Sequence, residues 1–330
     1  MNIIALEEHF VTQEVLSAWH AIKAPWHDPG LAYHQHGEIG ERLLDLGERR
    51  IADMAATGIN MQVLSLTAPA LHSLEREQAL ALQGSSNNLI AEAVKRWPQH
   101  FQGLATLATP DPQAAAAELH RSIRELGLHG AMLFGHTRGR NLDHPDNWPI
   151  FEAAQALGAP LYIHPQAPVP AVREALYSGF DDTLNAAFAS FGLGWHYETG
   201  VQIVRMVLAG VFDRFPELQI VTGHWGEVVL FYLERIDSLS RFTRLQRPIN
   251  EYFRRNLSVT PSGMWSERYL KWAIEVLGTE RILFSSDYPY RFGSNGEARR
   301  FLETAPISAA DKALIAHGNW QRLTANIGHG

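Results

Sequence analysis

QGLATLATPDPQAAAAELHRSIRELGLHGAMLFG, residues 102–135, sets two short apolar runs around a helical pattern. QGLATL (102–107) and GAMLFG (130–135) read as buried strands, while PQAAAAELHRSIRELG (112–127) carries apolar residues at three- and four-residue spacing. Gly127 stands where such a helix should stop, shortly before the next strand. A strand, a helix and a second strand in that order make a parallel pair joined by a crossover.

The pattern continues in both directions. Further strand-like runs are IIAL (3–6), MQVLSL (61–66), PLYIHP (160–165), LQIVTGH (218–224), LSVTPS (257–262) and RILFSSD (281–287). Helical patterns such as ERRIADMAATG (48–58) and NNLIAEAVKRW (87–97) lie between them, with Gly58 and Gly158 as further helix stops. Eight strand runs in alternation predict an α/β fold of the closed (β/α)8 TIM-barrel type, with a doubly wound sheet as the alternative. No composition break marks a linker, so residues 1–330 are expected to form a single domain.

Composition narrows the functional classes. An apolar share of 46% against 19% charged is that of an ordinary globular protein. The formal net charge is −7 and no basic run is long enough to track a phosphate backbone, which argues against a nucleic-acid partner. The absence of cysteine excludes disulfides and thiolate metal sites and fits a reducing cytoplasm. No apolar segment approaches the ~20 residues that span a bilayer, and Glu7 and Glu8 stand where a signal peptide would be apolar. The expectation is a cytoplasmic protein with no membrane contact.

In a barrel the C-terminal ends of the strands share one mouth, and chemistry collects there. Those ends supply Glu7 and His9 in MNIIALEEHF (1–10), His164 in PLYIHP, His224 in LQIVTGH and Asp287 in RILFSSD. Glu7 and His9 are two residues apart and fall on one face of an extended strand. Each residue has a bland reading: His164 as a hydrogen-bonded core histidine, Asp287 as a turn initiator. Together they are costly to gather unless something binds among them. Imidazoles and carboxylates without thiolate favour a single borderline divalent ion, zinc or manganese. Two stretches longer than ordinary loops, residues 20–40 and 165–197, follow strands that end in these residues and are expected to serve as lids or binding loops.

The segments ALEEHF (5–10), YIHP (162–165), IVTGHWGE (220–227) and ILFSSDYP (282–289) resemble the amidohydrolase-related metal-dependent decarboxylases, and among them the γ-resorcylate (2,6-dihydroxybenzoate) decarboxylases most. SLTAPA (65–70), the run 198–220 and GNWQRL (318–323) extend the resemblance over nearly the whole chain. It implies an amidohydrolase-type (β/α)8 barrel with one divalent ion held by Glu7, His9, His164 and Asp287. His224 is then placed just outside the ligand set, with Glu227 as its acidic partner. A plain reading of Glu227 is an acid in the first turn of a helix, where the dipole favours it. Glu7-x-His9 replaces the His-x-His common in the family's hydrolases and looks like the benzoate decarboxylases. The loop GHTRGRNLDHPDN (135–147), the 20–40 segment and the Trp195-His196 patch depart from the γ-resorcylate pattern.

The implied reaction is a non-oxidative decarboxylation. A hydroxybenzoate-like acid chelates the ion, and protonation of the carboxyl-bearing carbon gives the departing electron pair a place to go. Asp287 is the expected proton donor, with His224 and Glu227 supporting it. The competing reading is a hydrolase of a lactone or amide built from the same residues. A metal-stabilised binding module would leave His224 and Glu227 without a role. Arg235, in WGEVVLFYLERID (225–237), lies eleven residues past His224, about 16 Å along a continuous helix and away from its own mouth. In the resembled family an arginine at that place binds substrate in a neighbouring subunit, which implies a homodimer or homotetramer. Arg50 is the weaker candidate for substrate binding from within the subunit. The plain reading of Arg235 is a surface ion pair with Glu234 or Asp237.

Overall fold

In the computed structural model, which describes residues 1–33, 37–293 and 295–328, all eight strand runs enter one ring of parallel pairings. β1 (Ile4–Phe10) pairs with β2 (Met61–Leu66), and β2 with β3 (Phe101–Gly103). Leu104 donates its N–H to Leu64 O, and the same run resumes as β4 (Ala105–Thr106), which pairs with β5 (Ala131–Phe134). The segment 135–147 contributes a small antiparallel hairpin, β6 (His136–Thr137) with β7 (Arg140–Asn141). β8 (Leu161–His164), β9 (Ile220–Thr222) and β10 (Leu257–Val259) then continue the sheet from β5.

The run 281–287 departs from a regular strand. It makes isolated parallel bridges only, Ile282 with Val259 and Ser285 with Leu6, yet these join both edges: Leu283 N–H donates to Val259 O and Leu6 N–H to Phe284 O. Beyond Ser285 the Glu8 carboxylate takes over from the ladder. It accepts from Ser286 N at 2.7 Å and Ser286 Oγ at 2.6 Å, and from Gln62 Nε2 at 3.0 Å. Burial pushes the Glu8 carboxyl up to about 8, with the Ser286 hydrogen bonds and Arg50 opposing it.

β1 also differs from the plain strand in the expectation. Its register shifts between Ala5 and Glu8, and Glu7 has φ 61°. Glu7 and His9 therefore converge through a bulge, which re-aims one side chain, and not through simple alternation.

The helices follow the sequence pattern closely. Asp111 caps Pro112–Arg124 by accepting from Ala114 N, and that helix buries Ala115, Leu119 and Ile123 against the barrel. Full burial of a Leu or Ile side chain stabilises by about 1.5–3 kcal/mol. Gly58 ends the helix Glu48–Thr57 at φ 76°, a left-handed position that a Cβ disfavours. The expected continuous helix after His224 is corrected. Trp225, Gly226, Glu227 and Val228 all have positive φ, so the helix begins at Val229 and the axial distance to Arg235 is shorter than the sequence implied. Among the described residues no helix is long and apolar enough to cross a membrane.

The two long insertions meet. Pro29–Tyr33 forms a 3-10 turn and Gly37–Leu43 a helix, while 34–36 of the 20–40 segment lie outside the described residues. The second insertion holds helices Pro170–Leu176 and Asp182–Ala187 and a π-type turn, Phe188–Gly192. Arg173 donates to Pro25 O and His27 O and so ties one insertion to the other.

Candidate active site

Glu7 divides its two carboxylate oxygens between two tasks. Oε2 accepts from Tyr162 OH at 2.5 Å and from Ser262 Oγ, with Thr260 and Ser285 hydroxyls at 3.4 Å. Oε1 is buried, accepts no hydrogen bond among the described residues and stands 3.3 Å from His164 Nε2. The opposite ring nitrogen, His164 Nδ1, lies 2.8 Å from Pro165 O. That carbonyl can only accept, so Nδ1 carries a proton, and in the neutral ring the Nε2 lone pair faces the Glu7 oxygen. Two lone pairs turned toward each other across this distance repel unless a cation lies between them.

His9 completes the group. One donor atom from each of Glu7, His9 and His164 falls within 4.8 Å of the others, and all three residues are buried. The set suits a borderline divalent ion, because it offers two imidazoles and a carboxylate whose second oxygen is anchored by hydroxyls. Burial pushes the Glu7 carboxyl up, but the His224 charge and the His164 and His9 rings outweigh it and hold the group well below the usual range. Asp287 lies beside the triad, with Oδ1 3.6 Å from His9 Nε2. Burial, with the Glu7 charge adding to it, raises the Asp287 carboxyl well above its ordinary value.

A second cluster sits on the same mouth. The buried Glu227 carboxylate is held between two rings, His224 Nδ1 at 2.7 Å from Oε1 and His196 Nδ1 at 2.7 Å from Oε2. Trp195 Nε1–H donates to His196 Nε2, which leaves the Nδ1 proton of that ring for Glu227. Burial opposes charge on His224, yet Glu227 and Glu7 prevail and raise it to about 10. Glu227 is not a helix-start acid; it precedes the helix Val229–Asp237 and is fully buried.

Glu7, His224, Glu227, Ser262 and Asp287 all have φ between 44° and 61°. Left-handed backbone at residues with a Cβ costs of order 1–3 kcal/mol each and collects at functional sites. Here it turns the strand ends inward, so that His164, His224, Glu227 and Asp287 line one cavity of about 1060 Å³. Both insertions wall it, through Gly30 and Ile39 and through Phe191, Leu193 and Trp195.

Arg50 is a correction to the sequence reading. It is fully buried outside the cavity lining, and its guanidinium donates to Asp45 O, His9 O and Gln62 Oε1 beneath the Tyr288 ring. With those acceptors filled, it braces the end of β1 and presents no fork to a ligand. Arg235 is exposed on Val229–Asp237 and forms neither of the expected ion pairs with Glu234 or Asp237 among the described residues. The reading from sequence missed Tyr162, Ser262 and His196. Thr260 and Ser262, two apart at the end of LSVTPS, carried a same-face signal. His196 sits inside a helix with no strand-end signal at all.

The comparisons with known proteins agree with this geometry. Residues 19–323 match the amidohydrolase family. A γ-resorcylate decarboxylase of Polaromonas sp. is 36% identical over 97% of each chain. Among solved structures, a 5-carboxyvanillate decarboxylase from Sphingomonas paucimobilis has a TM-score of 0.89 at 36% identity, covering 98% of this chain and 99% of its own. A dihydroxybenzoic acid decarboxylase from Polaromonas sp., solved with manganese and the inhibitor 2-nitroresorcinol, has a TM-score of 0.85 at 34% identity, covering 98% and 97%. A likeness that takes in the whole ring of strands and runs past both insertions leaves no separate region to classify, and the chain belongs to the amidohydrolase family.

Proposed function

We propose that this protein is a metal-dependent, non-oxidative decarboxylase of a hydroxybenzoate-like aromatic acid, with Glu7, His9, His164 and Asp287 around one divalent ion, manganese by analogy with the solved relatives. The observation that carries the proposal is the approach of His164 Nε2 to Glu7 Oε1 at 3.3 Å, two donors turned to one point beside Asp287. When bound, the ion supplies Lewis acidity that gathers the substrate carboxylate with a neighbouring phenolic oxygen and offsets their charge.

The side chains do the rest. The Asp287 carboxyl delivers a proton to the ring carbon that bears the carboxylate. The carbon–carbon bond then breaks, its electron pair restores the aromatic ring, and CO2 leaves. His224, held at Nδ1 by Glu227, presents its ring to the cavity as a donor to developing negative charge. His196 holds the other Glu227 oxygen, so the carboxylate cannot swing away from His224. Trp195, Trp265 and Tyr290 give the cavity aromatic walls that suit a flat ring and reduce its water.

The direct test offers the manganese-loaded protein a panel of hydroxybenzoates beside a panel of lactones. One CO2 is expected per acid consumed, with the decarboxylated phenol as product. Lactone hydrolysis without CO2 release would assign the site to a hydrolase instead.

The active form in this proposal is at least a dimer, with Arg235 entering the neighbour's cavity. Exposed Phe231 and Tyr232 flank Arg235 on its helix, and they edge an aromatic groove with Tyr197, Tyr269 and Trp272 that shares His224 and Met264 with the main cavity. Soluble monomers seldom expose contiguous apolar surface of this kind. Arg235→Ala is expected to raise KM about tenfold or more with metal content intact, since a charge-assisted bond to the acid is lost. Mixed with His164→Ala chains, it should recover part of the wild-type rate through hybrids that contain one complete site. Full activity in a monomer, or no recovery from chains shown to exchange, would remove Arg235 from the site.

A further inference from the structure

The two insertions that wall the cavity are joined by a pair of opposite charges. Asp28 belongs to the first and is only 7% exposed. Its carboxylate accepts from Gly30 N at 2.7 Å, within its own turn, and from the Ala167 N–H at the root of the second insertion. Arg173 belongs to the second and reaches back, donating to Pro25 O at 2.7 Å and to His27 O at 3.1 Å. Each insertion thus holds the backbone of the other through one charged side chain, and the two charges also act on each other. Burial raises the Asp28 carboxyl, while the Gly30 N–H and the Arg173 charge oppose it.

The barrel backs this joint. Ala167 O lies 3.2 Å from His136 Nε2 in the hairpin of β6 and β7, and a carbonyl only accepts, so that ring nitrogen carries the proton. His136 Nδ1 then accepts from Gly139 N at 3.3 Å, which satisfies the ring. The Trp26 ring of the first insertion stands 6.2 Å from the His136 ring, and a Cβ at Gly139 would meet its Cη2 at 3.2 Å. Both insertions therefore close against the same hairpin.

What the joint governs is the wall of the site. Gly30, two residues from Asp28, lines the cavity, as do Phe191 and Leu193 of the second insertion. Helix Asp182–Ala187 packs on the turn Pro29–Tyr33, so the segment that carries the second wall is braced on the first. The roots are pinned separately: Val11 N–H donates to Leu43 O at 2.9 Å, and His136 N–H to Gln166 Oε1 at 3.2 Å. The joint itself is not fully satisfied. Arg173 Nε is buried and meets no acceptor among the described residues. An unpaired buried donor favours any state in which water reaches it, so the closed joint is held without being locked.

We infer that residues 25–33 and 165–193 form one lid over the cavity, latched by the crossed contacts of Asp28 and Arg173, and that the two insertions open and close together to retain the ligand. The inference goes beyond the reaction assigned above, and its first test needs no substrate. Segments of this kind open as contiguous units at lower cost than the core. Lids that close in this way sequester substrate during turnover.

Amide hydrogen exchange on the manganese-loaded protein compares wild type, Arg173→Gln, Arg173→Lys and Asp28→Asn. Arg173→Gln is expected to speed exchange about tenfold or more in residues 25–33 as well as in 165–193, the scale of one lost charge-assisted hydrogen bond, with the barrel strands unchanged. Asp28→Asn should do the same from the other side, and Arg173→Lys should give a smaller increase, since it keeps the charge and loses the fork. Acceleration confined to the insertion that carries the substitution, or none in either, overturns the lid. If Arg173→Gln also loosens the strands, the fold is damaged, and Arg173→Lys decides by the same two criteria. In the decarboxylase assay the loosened lid should raise KM for a hydroxybenzoate by about tenfold with metal content intact. An unchanged KM beside two loosened insertions would overturn the lid as well, because the joint would then retain nothing. If no acid releases CO2, the decarboxylase reading fails separately and the exchange result alone decides the lid.

Discussion

Replacing His164 with alanine is expected to cost the protein its divalent ion and, with it, essentially all turnover. The imidazole sits at the end of β8 with Nδ1 fixed by Pro165 O and Nε2 toward Glu7 Oε1, so no neighbouring group takes its place when the ring is removed. Changes that merely disturb the surroundings of a metal ligand cost 10–100-fold in affinity or activity, and loss of a ligand should exceed that. Metal content by atomic emission after gel filtration gives the first readout, and CO2 release gives the second. Full metal content in His164→Ala, or undiminished activity after exhaustive chelation of wild type, would move the metal centre elsewhere. A useful companion is Ser262→Ala. It should keep the ion but loosen it, because only one of the hydroxyls on Glu7 Oε2 is lost.

His224→Asn is expected to behave in the opposite way, with the ion kept and turnover reduced about a hundredfold or more. His224 lies outside the triad of donor atoms, and its Nδ1 is committed to Glu227. Asparagine preserves a donor toward that carboxylate but offers no ring nitrogen to the cavity. Acid–base groups contribute roughly 10²–10⁴-fold to turnover. The informative measurement is kcat at saturating metal, beside the metal content of the same sample. A rate near that of wild type would exclude His224 from the chemistry. Loss of metal would instead make it a ligand, contrary to the proposed arrangement.

Much of this molecule is legible along the chain because the relevant physics is local. The strand and helix of QGLATL and PQAAAAELHRSIRELG depend on apolar spacing, on the Asp111 cap and on glycine at the stops, all of which act within a few residues. The strand-end donors are similarly visible. A polar residue after a buried apolar run stands out in any barrel, and the resemblance read from the sequence is carried by those same segments.

The rest belongs to the tertiary structure, for two reasons. Left-handed backbone at Glu7, Trp225, Glu227 and Asp287 is imposed by the surrounding packing, and nothing in those side chain types announces it; this is why β1 carries a bulge and the helix after His224 starts late. The second reason is separation in sequence. Tyr162 and Ser262 hold Glu7 from 155 and 255 residues away, and His196 reaches Glu227 across 31. Whether an arginine braces a strand or faces a ligand turns on the same kind of contact. Arg50 finds its acceptors in His9 O, Asp45 O and Gln62, and the first and last of these lie outside the sequence around it. The sequence by itself determined which residues stand at the barrel mouth; only the fold decided what each of them faces, because that is set by groups brought in from distant parts of the chain.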